Sequence, residues 1–326
     1  MKRISASREL LLLIAIALLL ALIASRFPAF VTPANLAAVF NDTSPLILLA
    51  IGQMIVILTK CIDLSVAANL ALTGMVVSLI NIAAPGLPMV VIVAIAIGFG
   101  ILLGMINGIL VWKLAIPPIV VTLGTMTIFR GVIFLLTEGK WVNSHEMSDA
   151  FKAVPRTEIF GLPVLSWIAI SAVILFWIVL TRTTLGRSFY AAGGNPNAAT
   201  YAGINVGRTQ FWAFTISGAL AGLTGYLWVS RFAVAYVDVA GGFELTVVAA
   251  CVIGGVSIMG GIGTVLGALL GALFLGIIAN ALPVVNISPF WQMAISGGAI
   301  IIAVVLNAQA NRSPGRIILK RAEHAT

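Results

Sequence analysis

Ten long apolar runs follow one another along this chain. A helix needs roughly 20 mainly apolar residues to cross the hydrocarbon core of a bilayer, where every backbone polar group must be paired within the protein. Of the 326 residues, 61% are hydrophobic and 9% are charged, whereas a soluble domain carries about 25% charged residues. The sequence therefore predicts an all-α, polytopic membrane helix bundle of about ten transmembrane helices, formed as a single domain over residues 1–326.

Charged, proline-rich and glycine-rich breaks separate the apolar runs and mark the ends of the predicted spans. The predicted helices are 10–25, 45–59, 64–82, 89–112, 119–137, 163–181, 210–230, 244–258, 264–282 and 290–307. The first is interpreted as a spanning helix rather than a cleaved signal peptide, because no Ala-x-Ala site closes that run before Arg26.

Positive charges are distributed unevenly over the connections between these helices. With a cytoplasmic N-terminus, the cytoplasmic set is Lys2, Arg3, Arg8, Lys60, Lys113, Arg182, Arg187, Arg208, Arg312, Arg316, Lys320 and Arg321, and the outer set is Arg26, Lys140, Lys152, Arg156 and Arg231. Cytoplasmic loops are enriched in Lys and Arg. The distribution therefore predicts that both termini and the loop 182–209 are cytoplasmic, and that the loop 138–162 lies on the outer side of the membrane.

Several function classes lack the residues that they need. No Gly-x-x-x-x-Gly-Lys-Ser/Thr sequence occurs, so any ATP must be hydrolysed by another subunit. No histidine falls in a predicted span, which removes the base of an intramembrane protease and the ligand of a His-bound metal. The net charge of +8 forms no basic block of the kind that binds nucleic acid. We therefore expect no catalytic residue, metal site, cofactor or nucleic-acid partner.

A small set of polar residues remains within or beside the apolar segments. A charged side chain at the centre of a spanning helix costs roughly 2.5–3.5 kcal/mol, so such groups normally face the bundle interior or a wet cavity. Three structural alternatives stay open: an interfacial Lys60–Asp63 pair, a snorkelling Arg130, and asparagines that only join helices. The candidates for a translocation path are Asp63, Asn69, Asn107, Arg130 and Glu244.

Glycines recur at a spacing of four residues in two places. One set is Gly100, Gly104 and Gly108, and the other is Gly263, Gly267 and Gly271. This spacing places the glycines on one helix face, where another helix backbone can approach closely. We interpret both sets as packing surfaces, and an internal repeat of the kind found in many transporters is a second interpretation.

The cytoplasmic loop contains the signals of a short helix. Asn195 suits the N-cap, Pro196 the first helical position, and Gly203 the left-handed stop. The helix would be about 10 Å long and too short to be stable alone. We therefore expect it to dock in the cleft of a partner. The docking residues are Asn195, Pro196, Asn197, Ala198, Ala199, Thr200, Tyr201, Ala202 and Gly203.

A series of short motifs between about residue 30 and residue 306 carries a resemblance to a known family. They include Ile62-Asp63-Leu64-Ser65-Val66, Ala71-Leu72-Thr73-Gly74, Thr122-Leu123-Gly124-Thr125, Thr184-Leu185-Gly186-Arg187, Gly193-Gly194-Asn195, Ala202-Gly203-Ile204-Asn205-Val206, Gly242-Phe243-Glu244-Leu245 and Gly254-Gly255-Val256-Ser257. With these motifs the chain resembles the permease subunits of bacterial monosaccharide ATP-binding-cassette importers, of the ribose type and its rhamnose, galactose and autoinducer-2 relatives.

The resemblance implies a permease subunit in the bacterial inner membrane. It would conduct a monosaccharide, such as a pentose, a deoxyhexose or a similar polyol, delivered by a periplasmic sugar-binding protein. A second permease copy, identical or paralogous, and a separate ATPase subunit are implied as partners, with the coupling helix at 195–203. The alternative is a self-sufficient secondary carrier for a small polar solute, which needs mid-membrane acids that this sequence offers sparingly.

Overall fold

A computed structural model describes residues 2–284 and the isolated positions 291, 294, 297, 298 and 301. The helices of this part are α1 (Lys2–Arg26), α2 (Pro33–Leu58), α3 (Val66–Ala83), α4 (Met89–Lys113), α5 (Pro118–Thr137), α6 (Asp149–Ala153), α7 (Val164–Arg182), α8 (Thr184–Gly194), α9 (Pro196–Tyr201), α10 (Val206–Phe232), α11 (Phe243–Ile253) and α12 (Val265–Val284). Two 3-10 turns (Pro28–Val31 and Val154–Arg156) and a hairpin of β1 (Glu158–Ile159) and β2 (Leu162–Pro163) complete it.

Eight of the described helices are long and apolar enough to cross a membrane, namely α1, α2, α3, α4, α5, α7, α10 and α12. The predicted all-α membrane bundle is therefore confirmed. The total of about ten spans and the cytoplasmic position of both termini stay predictions. Apart from the five isolated positions, the predicted helix 290–307 and the C-terminal tail lie outside the described residues.

The second span begins well before its predicted start. The prediction places the start of this helix at Pro45, but α2 runs through that proline from Pro33. A proline inside a helix leaves the carbonyl four residues earlier without its usual donor. That carbonyl belongs to Asn41, and Nη1 of Arg231 in α10 donates to it at 2.7 Å. The helix continues because a distant arginine replaces the missing hydrogen bond.

The predicted helix 244–258 is wrong in its last five residues, because the helix ends at Ile253. Helix α11 has 11 residues and is therefore about 16 Å long, roughly half the thickness of the hydrocarbon core. It ends where Gly254 presses against the backbone of Gly267 in α12, and Gly255 then takes a φ of 84°. The close approach of α12 and the left-handed glycine stop the helix although the sequence stays apolar.

Non-helical backbone over 254–264 follows α11 and runs beside the second half of α2. Cys251 Sγ contacts the carbonyl of Ala50 at 3.2 Å, whereas Gly261 N donates to the carbonyl of Leu58 at 3.0 Å. Ala50 and Leu58 lie about 12 Å apart along α2 at 1.5 Å per residue. Irregular backbone is tolerated at membrane depth only where protein or water surrounds it.

Helix α10 is central in the bundle and packs on α2, α3 and α4. A Cβ atom on Gly218 would lie 2.8 Å from Cα of Gly104, and one on Gly222 would lie 2.8 Å from Cα of Gly100. Gly108 extends the contact toward Phe211 of α10. The glycine surface predicted on α4 thus packs against a second glycine surface on α10, which the sequence analysis missed.

The other predicted glycine set has two helical members. Gly267 and Gly271 lie in α12 and face α11, where a Cβ atom on Gly271 would lie 2.8 Å from N of Gly254. Gly263 precedes α12, and a Cβ atom there would meet the side chain of Val256 at 3.1 Å. Two of the three glycines at this spacing therefore form a packing surface on α12, whereas Gly263 lies in the segment before the helix.

Both long loops are folded rather than extended. The loop 138–162 contains α6 and the hairpin, and it is held to α3 where Asn81 Oδ1 accepts from Ser148 N at 2.9 Å. Tyr226 of α10 donates its hydroxyl to Phe151 O at 3.3 Å. The loop 182–209 contains α8 and α9, of which only α9 was predicted. These connections are parts of the packed molecule.

Candidate functional site

A buried carboxylate lies in the connection 59–65 between α2 and α3. Asp63 is 2% exposed, and its Oδ1 accepts from N of Ser65 at 2.9 Å and from Oγ at 2.6 Å. Its Oδ2 accepts from Oγ of Ser217 at 3.5 Å. Burial raises the pKa of the Asp63 carboxyl, and the hydrogen bonds from Ser65 and Ser217 oppose this rise. Lys60 is exposed and forms no ion pair with Asp63 in the described part of the chain.

Hydrogen bonds extend from this carboxylate to three further spans. Asn107 Nδ2 donates to Ser65 Oγ at 2.8 Å, and Thr125 Oγ1 donates to Asn107 Oδ1 at 2.7 Å. With its amide oriented to satisfy both groups, Gln53 bonds the backbone O and N of Asp63 at 3.1 and 3.2 Å. We name these residues and Ser217 the Asp63 network. It joins α2, α4, α5 and α10 through buried polar groups.

Asn69 belongs to a separate contact. Its Nδ2 donates to the carbonyl of Gly100 at 3.3 Å, and its Oδ1 accepts from Thr73 Oγ1 at 3.1 Å. Both partners lie in the packed contact between α3 and α4. In this structure Asn69 thus joins helices, the alternative that the sequence had left open for it.

Arg130 holds the segment 233–242, which connects α10 to α11. Its Nη1 donates to the carbonyls of Val237 and Val239 at 2.6 and 2.7 Å. The same atom lies 4.0 Å from Oδ1 of Asp238, whose side chain is largely exposed. Arg130 therefore stays in the protein instead of snorkelling, and it fixes the path of a segment without helical structure.

The segment 233–242 also joins the outer loop. Val142 and Ala235 exchange backbone hydrogen bonds at 2.8 and 2.9 Å. The ring of Trp141 stacks on that of Tyr236, with centroids 4.6 Å apart and planes at 21°.

Glu244, a predicted path residue, lies half-buried in the first turn of α11. Sequence reasoning missed Asp238 and Tyr236, because a polar residue in a connection carries no insertion cost that would single it out.

The short helix α9, in the loop predicted to be cytoplasmic, is present where the sequence predicted it. Asn195 Oδ1 accepts from Ala198 N at 3.1 Å, and Pro196 occupies the first helical position. Gly203 takes a φ of 81°, and Ile204 N donates to the carbonyl of Ala199 at 2.9 Å, which closes the C-terminal turn. The helix and its capping residues thus agree with the prediction.

The residues of α9 divide into an outward and an inward group. Tyr201 is 93% exposed, and Asn197 and Ala198 are also exposed. Ala199 is 4% exposed because it packs within this chain. An enlarged side chain at position 199 would therefore disturb this chain itself, so Ala198 and Tyr201 are the better probes of a contact with another subunit.

Gly193, near the end of α8, packs closely against the bundle. A Cβ atom on Gly193 would collide with the carbonyl of Leu58 and would lie 2.8 Å from N of Gly261. Nearby, Tyr190 donates its hydroxyl to the carbonyl of Gly263 at 2.9 Å. We name the meeting of Gly193, Leu58 and Gly261 the inner junction. It links α8 and α9 to the end of α2 and to the non-helical segment 254–264.

Comparisons with known proteins identify the family of the chain. Residues 35–304 match the family described as "Branched-chain amino acid transport system / permease component". The chain is 36% identical over 295 residues to the ribose import permease protein of Haemophilus influenzae, covering 90% of each chain. It is 36% identical over 313 residues to the autoinducer 2 import system permease protein of Enterobacter sp., covering 96% of this chain and 90% of the relative. It is 37% identical over 298 residues to the ribose import permease protein of Escherichia coli, covering 90% and 92%. No solved structure matches the chain.

Proposed function

This chain belongs to the family of branched-chain amino acid transport system permease components, and from that premise we propose that it conducts a monosaccharide through the bacterial inner membrane. It is a transport subunit and not an enzyme. The relatives named for ribose import and autoinducer 2 import each cover nine tenths or more of this chain. This coverage favours a sugar or similar polyol over an amino acid as the solute.

The chain acts as one permease domain with partners on both sides of the membrane. An ATPase and a solute-binding protein are the partners of an importer of this family, and a second permease copy is our further proposal. The exposed Met259 and Ile262 on the non-helical segment 254–264 support the second copy. Irregular backbone at membrane depth needs protein or water around it, and a second chain or a shared path supplies either.

The proposal of ATP-driven transport rests mainly on helix α9. It is capped at both ends, exposes Tyr201 to the predicted cytoplasmic side, and is too short to be stable without packing. Through α8 it is packed on the inner junction, so a movement of α9 would reach α2 and 254–264. For the alternative secondary carrier, Asp63 is the candidate acid, but its hydrogen-bond partners are serines rather than a second acid.

A reconstituted complex of this chain, its ATPase and its binding protein tests the proposal. We expect Ala198→Glu and Tyr201→Ala to abolish most ATP-dependent uptake of labelled ribose, because both side chains face the proposed ATPase. His145→Glu on the predicted outer loop is the matched control and should leave coupling intact. Normal uptake and normal ATPase co-purification in both α9 variants would mean that coupling runs elsewhere. Uptake of leucine without ribose would overturn the solute class and leave the importer proposal standing.

A further inference from the structure

A β-hairpin stands at the start of α7, with an aromatic residue at its tip. Phe160 and Gly161 form the two-residue turn between β1 and β2, with φ values of 52° and 77°. Turns of this kind favour Asn, Asp or Gly, because both central residues need a positive φ. Phe160 is nevertheless 95% exposed. Local backbone preference and burial within the chain both fail to account for a phenylalanine at this position.

The hairpin is fixed beside the first turn of α7. Trp167 Nε1 donates to the carbonyl of Ile159 at 2.9 Å, and Val164 N donates to the carbonyl of Thr157 at 2.8 Å. Tryptophan concentrates at the boundary between lipid headgroups and hydrocarbon. These two hydrogen bonds therefore hold the hairpin beside a residue type that favours this boundary.

The hairpin lies on the side of α7 that carries exposed apolar residues. Trp167, Ile174 and Ile178 are spaced by seven and four residues, which places them on one face of the helix. Ile174 and Ile178 are exposed, and on a spanning helix an exposed apolar face borders lipid. The hydrogen bond from Trp167 attaches the hairpin to the outer end of this same face.

We propose that Phe160, together with Ile159, anchors the hairpin in the outer leaflet of the membrane. The aromatic ring lies at the boundary between headgroups and acyl chains, where an apolar ring leaves water without entering the deep hydrocarbon. A lipid is the occupant, because the tip continues the lipid-bordering face of α7 at its outer end. The anchor fixes the position of the outer loop relative to the membrane, and it does not depend on which solute is carried.

Site-specific fluorescence in lipid nanodiscs tests the anchor. Cys61→Ala and Cys251→Ala remove the two buried native thiols, and a small fluorophore is attached at Phe160→Cys or at the control position His145→Cys. His145 is exposed on the same outer loop. We expect nitroxide lipids to quench the label at position 160 and aqueous iodide to spare it. The label at position 145 should behave in the opposite way.

A second labelling position keeps Phe160 in place, because the label at position 160 replaces the ring that is being tested. With the fluorophore at Ile159→Cys, the native Phe160 should give strong quenching by nitroxide lipids. Phe160→Asn should lose most of that quenching, although asparagine suits the left-handed turn better and preserves the hairpin.

Three outcomes would overturn the proposal. A label at position 160 that is as open to iodide as the label at position 145 would show that water surrounds the tip. Protection from both quenchers would show that a protein covers the tip, which would favour a second copy of this chain or the binding protein over lipid. Quenching at Ile159→Cys that Phe160→Asn leaves unchanged would also contradict an anchor based on the phenylalanine ring.

Discussion

Asp63 is hydrogen-bonded in a way that asparagine can reproduce. One carboxylate oxygen accepts from Ser65, and the other faces the hydroxyl of Ser217. Asp63→Asn can keep the first acceptor and donate its amide to Ser217, so we expect its unfolding free energy to stay within about 1 kcal/mol of the wild type. Asp63→Ala leaves buried partners unpaired and should cost about 1–3 kcal/mol. Denaturant-induced unfolding in detergent measures both values.

Uptake by the same variant separates a structural role from a role in the path. The path role of Asp63 is a prediction, and it requires reduced uptake by Asp63→Asn at unchanged stability. Normal uptake would leave the carboxylate as a structural brace. The stability prediction is contradicted if Asp63→Asn and Asp63→Ala are equally destabilised. That result would mean that the hydrogen bonds of asparagine at this position add nothing to stability.

At the residue scale, the sequence predicted which polar groups are costly but not what they bind. Arg231 entered the sequence analysis only as one of the outer charges, yet it bonds Asn41, which lies 190 residues away. It also pairs with Asp42. Such partners depend on how α10 approaches α2, and the insertion cost of a side chain contains no information about that approach.

At the element scale, the contact between α4 and α10 depends on glycine. Gly218→Ala would bring a Cβ atom to 2.8 Å from Cα of Gly104, and overpacking of this kind typically costs about 1–3 kcal/mol. Gly98→Ala on α4 is the matched control, because nothing lies within 4 Å of its Cβ position. Thermal unfolding in detergent should show a lowered midpoint for the first variant alone. Equal midpoints would mean that the two helices separate easily enough to accept a methyl group.

The bounds of a helix were predictable where local sequence alone determines them. They were less predictable where local sequence and tertiary packing favour different ends. The spacing of Gly100 and Gly104 revealed one packing surface, but its partner at Gly218 and Gly222 follows only from the fold. The caps of α9 are local, so they were found. The end of α11 at Ile253 was missed because composition favours a longer helix and the close approach of Gly267 prevents it.

At the scale of the whole molecule, the sidedness of the chain is a prediction from charge. In a Cys-free background, an impermeant maleimide added outside intact spheroplasts should label His145→Cys and spare Asn197→Cys, because the loop 138–162 is predicted outside and 182–209 inside. Both positions are exposed in the structure, so burial does not bias the comparison. Labelling of Asn197→Cys alone would reverse the topology.

The bundle as a whole was largely predictable because the thickness of the bilayer sets the length of its helices. Seven of the predicted runs, including 64–82, 89–112 and 119–137, correspond closely to described spans. The candidate path residues were not brought together in one place: Asp63 and Asn107 share a network, whereas Arg130 holds 233–242. Hydrophobicity along the sequence predicts the lengths of the spanning helices. It does not predict how the helices are arranged around a path.

The shortness of α11 has a consequence for biosynthesis. A nascent chain enters the bilayer when an apolar helix of sufficient length leaves the translocation machinery, and 11 residues do not meet that length. The glycine contacts with Gly267 and Gly271 that stabilise α11 become available only after α12 has been synthesised. We infer that α11 and α12 enter the membrane together as a pair. The segment from residue 243 onward therefore reaches its final place only after α12 has been synthesised.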